Sequence, residues 1–181
     1  MKEDAARAMS EYEGSLLLRE WGIPVVEGVR AANVKGALDA ASKLGYPVVL
    51  KVCSDQVLHK TEAGGVVLGI QDRKALSFAA RDISGRFGAI PHTLLVQKMA
   101  PSGVELILGA RRDPVFGPVV LAGLGGIFTE IFRDTAMELA PLTKKEALAM
   151  LRKLKGFPLL SGYRSQPPVR LDSVADAIVR L

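Results

Sequence analysis

The chain has 181 residues, with 24 Lys and Arg against 19 Asp and Glu, 49% apolar side chains, 18 Gly, 10 Pro and one Cys. That apolar content, with a modest net charge of +5, excludes an intrinsically disordered chain, and a lone cysteine excludes a disulfide scaffold. The longest charge-free stretch, Pro114 to Thr129, is 16 residues long and broken by four Gly and two Pro, too short and too interrupted to span a bilayer. No apolar run follows Lys2, Glu3, Asp4 and Arg7 before Leu16, so no signal peptide opens the chain and a cytoplasmic protein with no membrane partner is expected.

The predicted elements alternate between strand and helix. A first helix begins at Ser10, which has capping-box spacing to Glu13, and stops at Gly22-Ile23-Pro24. Val25–Val29 reads as a short strand. A second helix runs from the cap Asn33 to Gly45, with Ala37, Leu38, Ala41 and Leu44 on one stripe. Strands follow at Pro47–Val52 and Val66–Ile70. A helix from Asp72 then presents Leu76, Ala79, Ile83 and Phe87 on one face, and Leu94–Met99 is strand-like. Strand, helix, strand, strand, helix, strand predicts a sheet covered on one face by two helices, hence an α+β unit.

The second half reads as an antiparallel sheet of Val104–Ala110, Pro118–Ala122, Ile127–Arg133 and Met137–Ala140. A helix with a capping box at Thr143 and Glu146 should bury Leu148, Leu151 and Leu154 before Gly156-Phe157-Pro158 breaks it. A last helix starts near Asp172 and is still running at Leu181. The expected organisation is an N-terminal helix (1–22), one subdomain (23–98) and a second (99–181).

Lys51 lies inside Val48-Val49-Leu50-Lys51-Val52, where an ammonium group is costly unless it reaches water or meets an anion. Thirteen residues on, Gly64-Gly65 could bring backbone N–H groups close to a phosphate, or could simply make a tight turn. No GxxxxGK[ST] motif is present, and Gly123-Leu124-Gly125-Gly126 lacks the third glycine of a dinucleotide turn, so close backbone packing is its expected role. The only histidines are far apart and no Cys/His spacing suits a metal. His59, in the polar loop before the glycine pair, could accept a phosphoryl group or be a surface residue. Glu105 points outward or faces a cleft, where it could accept from ribose hydroxyls. Arg111-Arg112-Asp113 could hold a phosphate with a guanidinium fork, or form an exposed turn with an internal salt bridge. Residues 144–170 hold seven basic residues and one acid, so they could meet an anionic partner or form the wet side of a helix; without interleaved aromatics, nucleic-acid binding is not expected.

Several unusual segments in this order resemble the ATP-grasp domain of NDP-forming acyl-CoA synthetases. They are Glu11-Tyr12-Glu13, Gly22-Ile23-Pro24-Val25, Leu44 to Lys51, His59 to Val66, Gln97-Lys98-Met99, Gly103-Val104-Glu105, Arg112 to Pro118, Gly123 to Glu130, Leu139 to Leu142 and Leu159 to Arg164. The resemblance implies an ATP-grasp fold, two α/β subdomains with a nucleotide cleft between them. It also implies reversible conversion of acyl-CoA, phosphate and ADP to acid, CoA and ATP, with phosphate carried as phosphohistidine from a CoA-binding component, fused or separate. ATP/ADP and Mg²⁺ are the implied cofactors. By the same resemblance Lys51 contacts the phosphates, Gly64 and Gly65 form the loop over them, and His59 relays phosphate. Gln97, Lys98 and Met99 form the adenine hinge, Glu105 meets the ribose, and Arg112 joins the nucleotide-binding set.

Two departures qualify that expectation. Many relatives carry Glu where Gln97 stands; an amide oxygen can still accept from the adenine amino group, without the attraction of a charge. The acid-x-Asn-Pro strand and later Asp that hold Mg²⁺ in the family have no counterpart after Asp172-Ser173, so the metal ligands are expected mostly beyond the chain end, none is singled out here, and the second subdomain reads as truncated. A non-catalytic, ligand-sensing ATP-grasp module of a larger acyltransferase-type protein is the alternative expectation.

Overall fold

A computed structural model describes residues 9–57, 60–126, 131–164 and 167–181. They form two compact units, one comprising the described residues up to Glu20 with Pro24–Pro101, the other Trp21–Ile23 with Ser102–Leu181.

In the first unit the helices are α1 (Glu11–Glu20), α2 (Val34–Leu44) and α3 (Arg73–Arg86), and the strands are β1 (Gly28–Ala31), β2 (Val48–Cys53), β3 (Val66–Ile70) and β4 (Thr93–Lys98). The strands form one antiparallel sheet in the order β1-β4-β2-β3. Local chemistry sets the helix starts. Asn33 accepts from the Gly36 amide and Asp72 from the Ala75 amide, each satisfying an N–H that the first turn leaves unpaired. Ser10 and Glu13 exchange hydrogen bonds in the capping-box pattern at α1. Ala37, Ala40, Ala41 and Leu44 of α2 and Leu76, Ala79, Ala80 and Ile83 of α3 pack with Val48, Leu50, Val52, Leu94 and Val96. Strand alternation puts those sheet residues on one face and Val49, Lys51, Leu95 and Gln97 on the other. β1 begins three residues later than predicted, because pairing of Gly28 with Gln97 of β4, rather than the apolar run from Val25, decides where the ladder starts.

The second unit contains β5 (Leu106–Asp113), β6 (Gly117–Leu124) and β7 (Thr135–Leu139), paired antiparallel in that order, with α4 (Lys144–Arg152), α5 (Phe157–Leu160) and α6 (Leu171–Arg180). Thr143 and Glu146 form the expected capping box. α4 buries Ala147, Met150 and Leu151, and Leu154 follows just beyond its end; Leu148 is only half-buried. This stripe packs with Val120, Ala122 and Leu124 and with Ala175 and Ile178 of α6.

Two predictions for this unit are corrected. The expected strand Ile127–Arg133 is not formed where it is described: Ile131 and Phe132 are helical, residues 127–130 lie outside the described residues, and Arg133 takes a left-handed φ of 48°, which redirects the chain into β7. Gly156-Phe157-Pro158 does not only end a helix; it begins α5, because proline in a first turn removes an N–H that has no helical partner.

Asp134 supplies the missing acceptors at that start. Its carboxylate is buried, and its two oxygens accept from the amides of Lys155 (2.9 Å) and Gly156 (2.7 Å). A Cβ on Gly156 would lie 2.1 Å from Leu124 Cδ1, so the chain must come this close without a side chain. Asp134→Ala leaves both amides without their acceptor and should cost the second unit about 1–3 kcal/mol. A thermal melt should show a Tm several degrees lower; an unchanged Tm would contradict this role. Among the described residues no helix is long and apolar enough to cross a membrane.

Candidate functional site

Lys51 occupies the sheet face opposite α2 and α3, and its ammonium meets the anion that its position demands. Glu11, the first residue of α1, accepts from Lys51 Nζ at 2.5 Å through one oxygen and from Lys60 Nζ at 3.1 Å through the other. Burial alone would raise the Glu11 pKa, but hydrogen bonds and charge from Lys51 and Lys60 outweigh it and hold the carboxyl below its ordinary value. A second link to the same face is Arg30 of β1, whose guanidinium stacks over the Tyr12 ring at 5.1 Å.

The glycine pair serves the turn. Gly64 N–H donates to Thr61 O (3.0 Å) and Gly65 N–H to Lys60 O (2.7 Å), so both amides are paired within the turn. Gly64 has a φ of +68°, and a Cβ on Gly65 would lie 2.5 Å from Val52 Cγ1. The turn thereby holds Gly65 against Val52 of β2, with the Lys60 carbonyl bonded to the Gly65 amide and the Lys60 ammonium reaching Glu11. On β4, Gln97 is buried and its side chain fills the space that Gly28 leaves by lacking a Cβ. Lys98 is exposed and pairs with Glu27 at 2.8 Å, and Met99 is exposed, its amide donating to Pro47 O.

In the second unit, Glu105 is exposed just before β5. Its carbonyl accepts from Gly125 N–H at 2.7 Å, and a Cβ on Gly126 would lie 2.8 Å from its carboxylate. The glycine cluster therefore provides close backbone packing, as expected. Ile107, Gly109 and Arg111 of β5, Val119 and Leu121 of β6 and Met137 of β7 line a shallow concavity of about 430 Å³ on the sheet face away from the helices. Arg112 alternates onto the other face of β5, while Arg111 pairs with Asp113 at 3.6 Å and Asp113 also accepts from the amides of Val115 and Phe116. The Arg111–Asp113 turn is thus the internal salt-bridged kind, and the structure does not bring Arg112 to the concavity. In the basic segment, Lys144 pairs with Asp172 and Asp176 of α6, and Lys153 with Glu138, so these charges are partly met within the unit.

His59 lies outside the described residues. Among the described residues no group of three or more His, Cys, Asp or Glu could hold a metal ion. Sequence reasoning missed two contributors, Glu11 and Lys60. Both lie in segments that carried the resemblance, but they are 40 and 49 residues from their partners, beyond any local spacing rule.

The ATP-grasp domain family matches residues 1–181. The chain belongs to the ATP-grasp family, and its two antiparallel sheets with their helices form the ATP-grasp fold. It is 40% identical over 180 residues to the beta subunit of acetate–CoA ligase [ADP-forming] I from Pyrococcus furiosus, covering 97% of this chain and 78% of that one. It is also 40% identical to acetate–CoA ligase [ADP-forming] I from Archaeoglobus fulgidus, over 93% of this chain but 25% of that protein. A Ca. Korarchaeum cryptofilum dinucleotide-forming acetyl-coenzyme A synthetase 1, solved with coenzyme A and Ca-AMPCP, superposes with a TM-score of 0.92 at 38% identity, covering 99% of this chain and 80% of that chain. Another structure of that enzyme, with a phosphorylated phosphohistidine segment, gives a TM-score of 0.86 at 37% identity.

Proposed function

We propose that this chain is the nucleotide-binding part of an ADP-forming acyl-CoA synthetase, a ligase that interconverts acyl-CoA, phosphate and ADP with acid, CoA and ATP. The observation that carries this reading is the pair Lys51 and Lys60, two ammonium groups converging on one carboxylate on the face of the first sheet opposite α2 and α3, in a chain 40% identical to an ADP-forming ligase subunit along nearly all its length. Two fixed cations around one anion form a site that suits phosphoryl oxygens.

Phosphoryl transfer spreads negative charge over the transferred group, so catalysis rests on positioned positive charge. Lys51, held by a central strand, supplies it, and Lys60 adds to it from the turn. His59, adjacent to Lys60 in sequence, is the residue that takes up the phosphoryl group. The Gln97 amide and the hinge residues Lys98 and Met99 address adenine, and Glu105 accepts from ribose hydroxyls. The apolar concavity of the second unit, lined by Ile107, Val119, Leu121 and Met137, suits a flat aromatic ring. Magnesium ordinarily accompanies such nucleotides and neutralises their phosphates, but the described residues do not form a site for it. The acyl group is recognised by a CoA-binding component, fused or separate.

The reading is tested by combining the chain with the CoA-binding component of a relative and supplying acetyl-CoA, ADP, phosphate and Mg²⁺. ATP formation dependent on both proteins is expected. Its absence from a mixture shown to have assembled would remove the enzymatic reading.

A further inference from the structure

The carboxylate between Lys51 and Lys60 belongs to the most weakly anchored helix of the first unit. α1 buries no residue, and Leu16 and Leu17 on it are exposed. Its links to the sheet face include the Glu11 contacts with Lys51 and Lys60 and the stacking of Arg30 on Tyr12, all within its first turn. Lys51, by contrast, is fixed in β2 between two paired strands.

We propose that Glu11 is an internal stand-in for the anionic ligand, and that phosphate arriving at Lys51 and Lys60 displaces it and releases α1 from the sheet. This rests on the reading of Lys51 as a phosphate contact. A carboxylate and a phosphoryl group cannot both sit between the same two ammonium groups, because like charges at that separation repel. Of the two sides, the one that yields is the helix with no buried anchor, not the strand at the centre of a sheet. Glu11 thus sets a threshold: with the pair closed, the two cations are neutralised, and a ligand must compete for them. Apparent affinity is then the intrinsic affinity reduced by the fraction of molecules in which the pair is open.

The test uses the full chain and two probes, ATP with Mg²⁺ and inorganic pyrophosphate, titrated into wild type and Glu11→Gln, with amide hydrogen exchange of residues 11–20 followed in wild type. Glu11→Gln is expected to bind both probes about 3- to 10-fold more tightly. Saturating pyrophosphate is expected to speed exchange in α1 of wild type several-fold, a readout that needs no substitution. Weaker binding by Glu11→Gln, or slower exchange in α1 with ligand, would overturn the proposal and make Glu11 a residue that positions Lys51. Tighter pyrophosphate binding by Glu11→Gln with no ATP binding in either protein would leave the displacement standing and overturn the nucleotide reading.

Discussion

Replacing His59 with asparagine should abolish labelling of the chain by ³²P-phosphate in the presence of acyl-CoA and the CoA-binding component. It should also reduce ATP formation by at least about 10³-fold, the scale on which loss of a covalent nucleophile acts. The argument is chemical. An imidazole nitrogen can form and break a bond to phosphorus, whereas an amide of similar size has no comparable nucleophile. The other histidine, His92, has its Nδ1 3.0 Å from the carbonyl of Ile90 in the turn that leads into β4. Nucleotide binding by His59→Asn should be close to that of wild type, since the expected loss is in transfer. Undiminished acid-labile labelling in His59→Asn would place the relay on another residue.

Lys51→Ala should have the second largest effect, and on a different quantity. Removing a charged donor to phosphate weakens binding by roughly 10- to 100-fold, the range of a hydrogen bond to a charged group. It also takes from Glu11 one of its two lysine partners and leaves Lys60, so the carboxylate has less to neutralise it. The KM for ADP should therefore rise steeply, and kcat should fall as well, because the same ammonium opposes the charge of the transferring group. Lys51→Arg keeps the charge but replaces a compact ammonium with a wider fork, and should recover part of the binding. The fold should survive all of these changes, since the Lys51 side chain lies on the face away from the core packed under α2 and α3.

What was legible in the sequence follows from the range of the interactions involved. The caps at Asn33, Asp72 and Thr143 and the Ser10–Glu13 pair act over three residues, so the chain order displays them directly. The stripes of α2 and α3 were readable for the same reason, because a helix repeats every few residues. The Ile127–Arg133 segment misled because apolar, β-branched composition does not distinguish a strand from a short helical turn, and the left-handed Arg133 has no composition signal. For the site, Lys51 was visible as a charge that an apolar strand does not tolerate alone. That its partner would be Glu11 was not, since the pairing depends on how α1 returns to the sheet. Gly64 and Gly65 stand out in the sequence as a pair; the structure shows Gly64 in a left-handed φ and Gly65 at the close approach of the turn to Val52. Arg112 was preferred over Arg111 by resemblance, and strand alternation separates the two onto opposite faces.

The central claim, that Lys51 forms part of a nucleotide phosphate site on an ATP-grasp scaffold, is most directly tested by calorimetric titration of ADP with Mg²⁺ into the chain and into Lys51→Ala at matched salt. Saturable one-to-one binding by wild type, weakened by about tenfold or more in a folded Lys51→Ala protein, is the predicted result. Equal affinity in the two proteins, or no binding by a folded wild type, would contradict it.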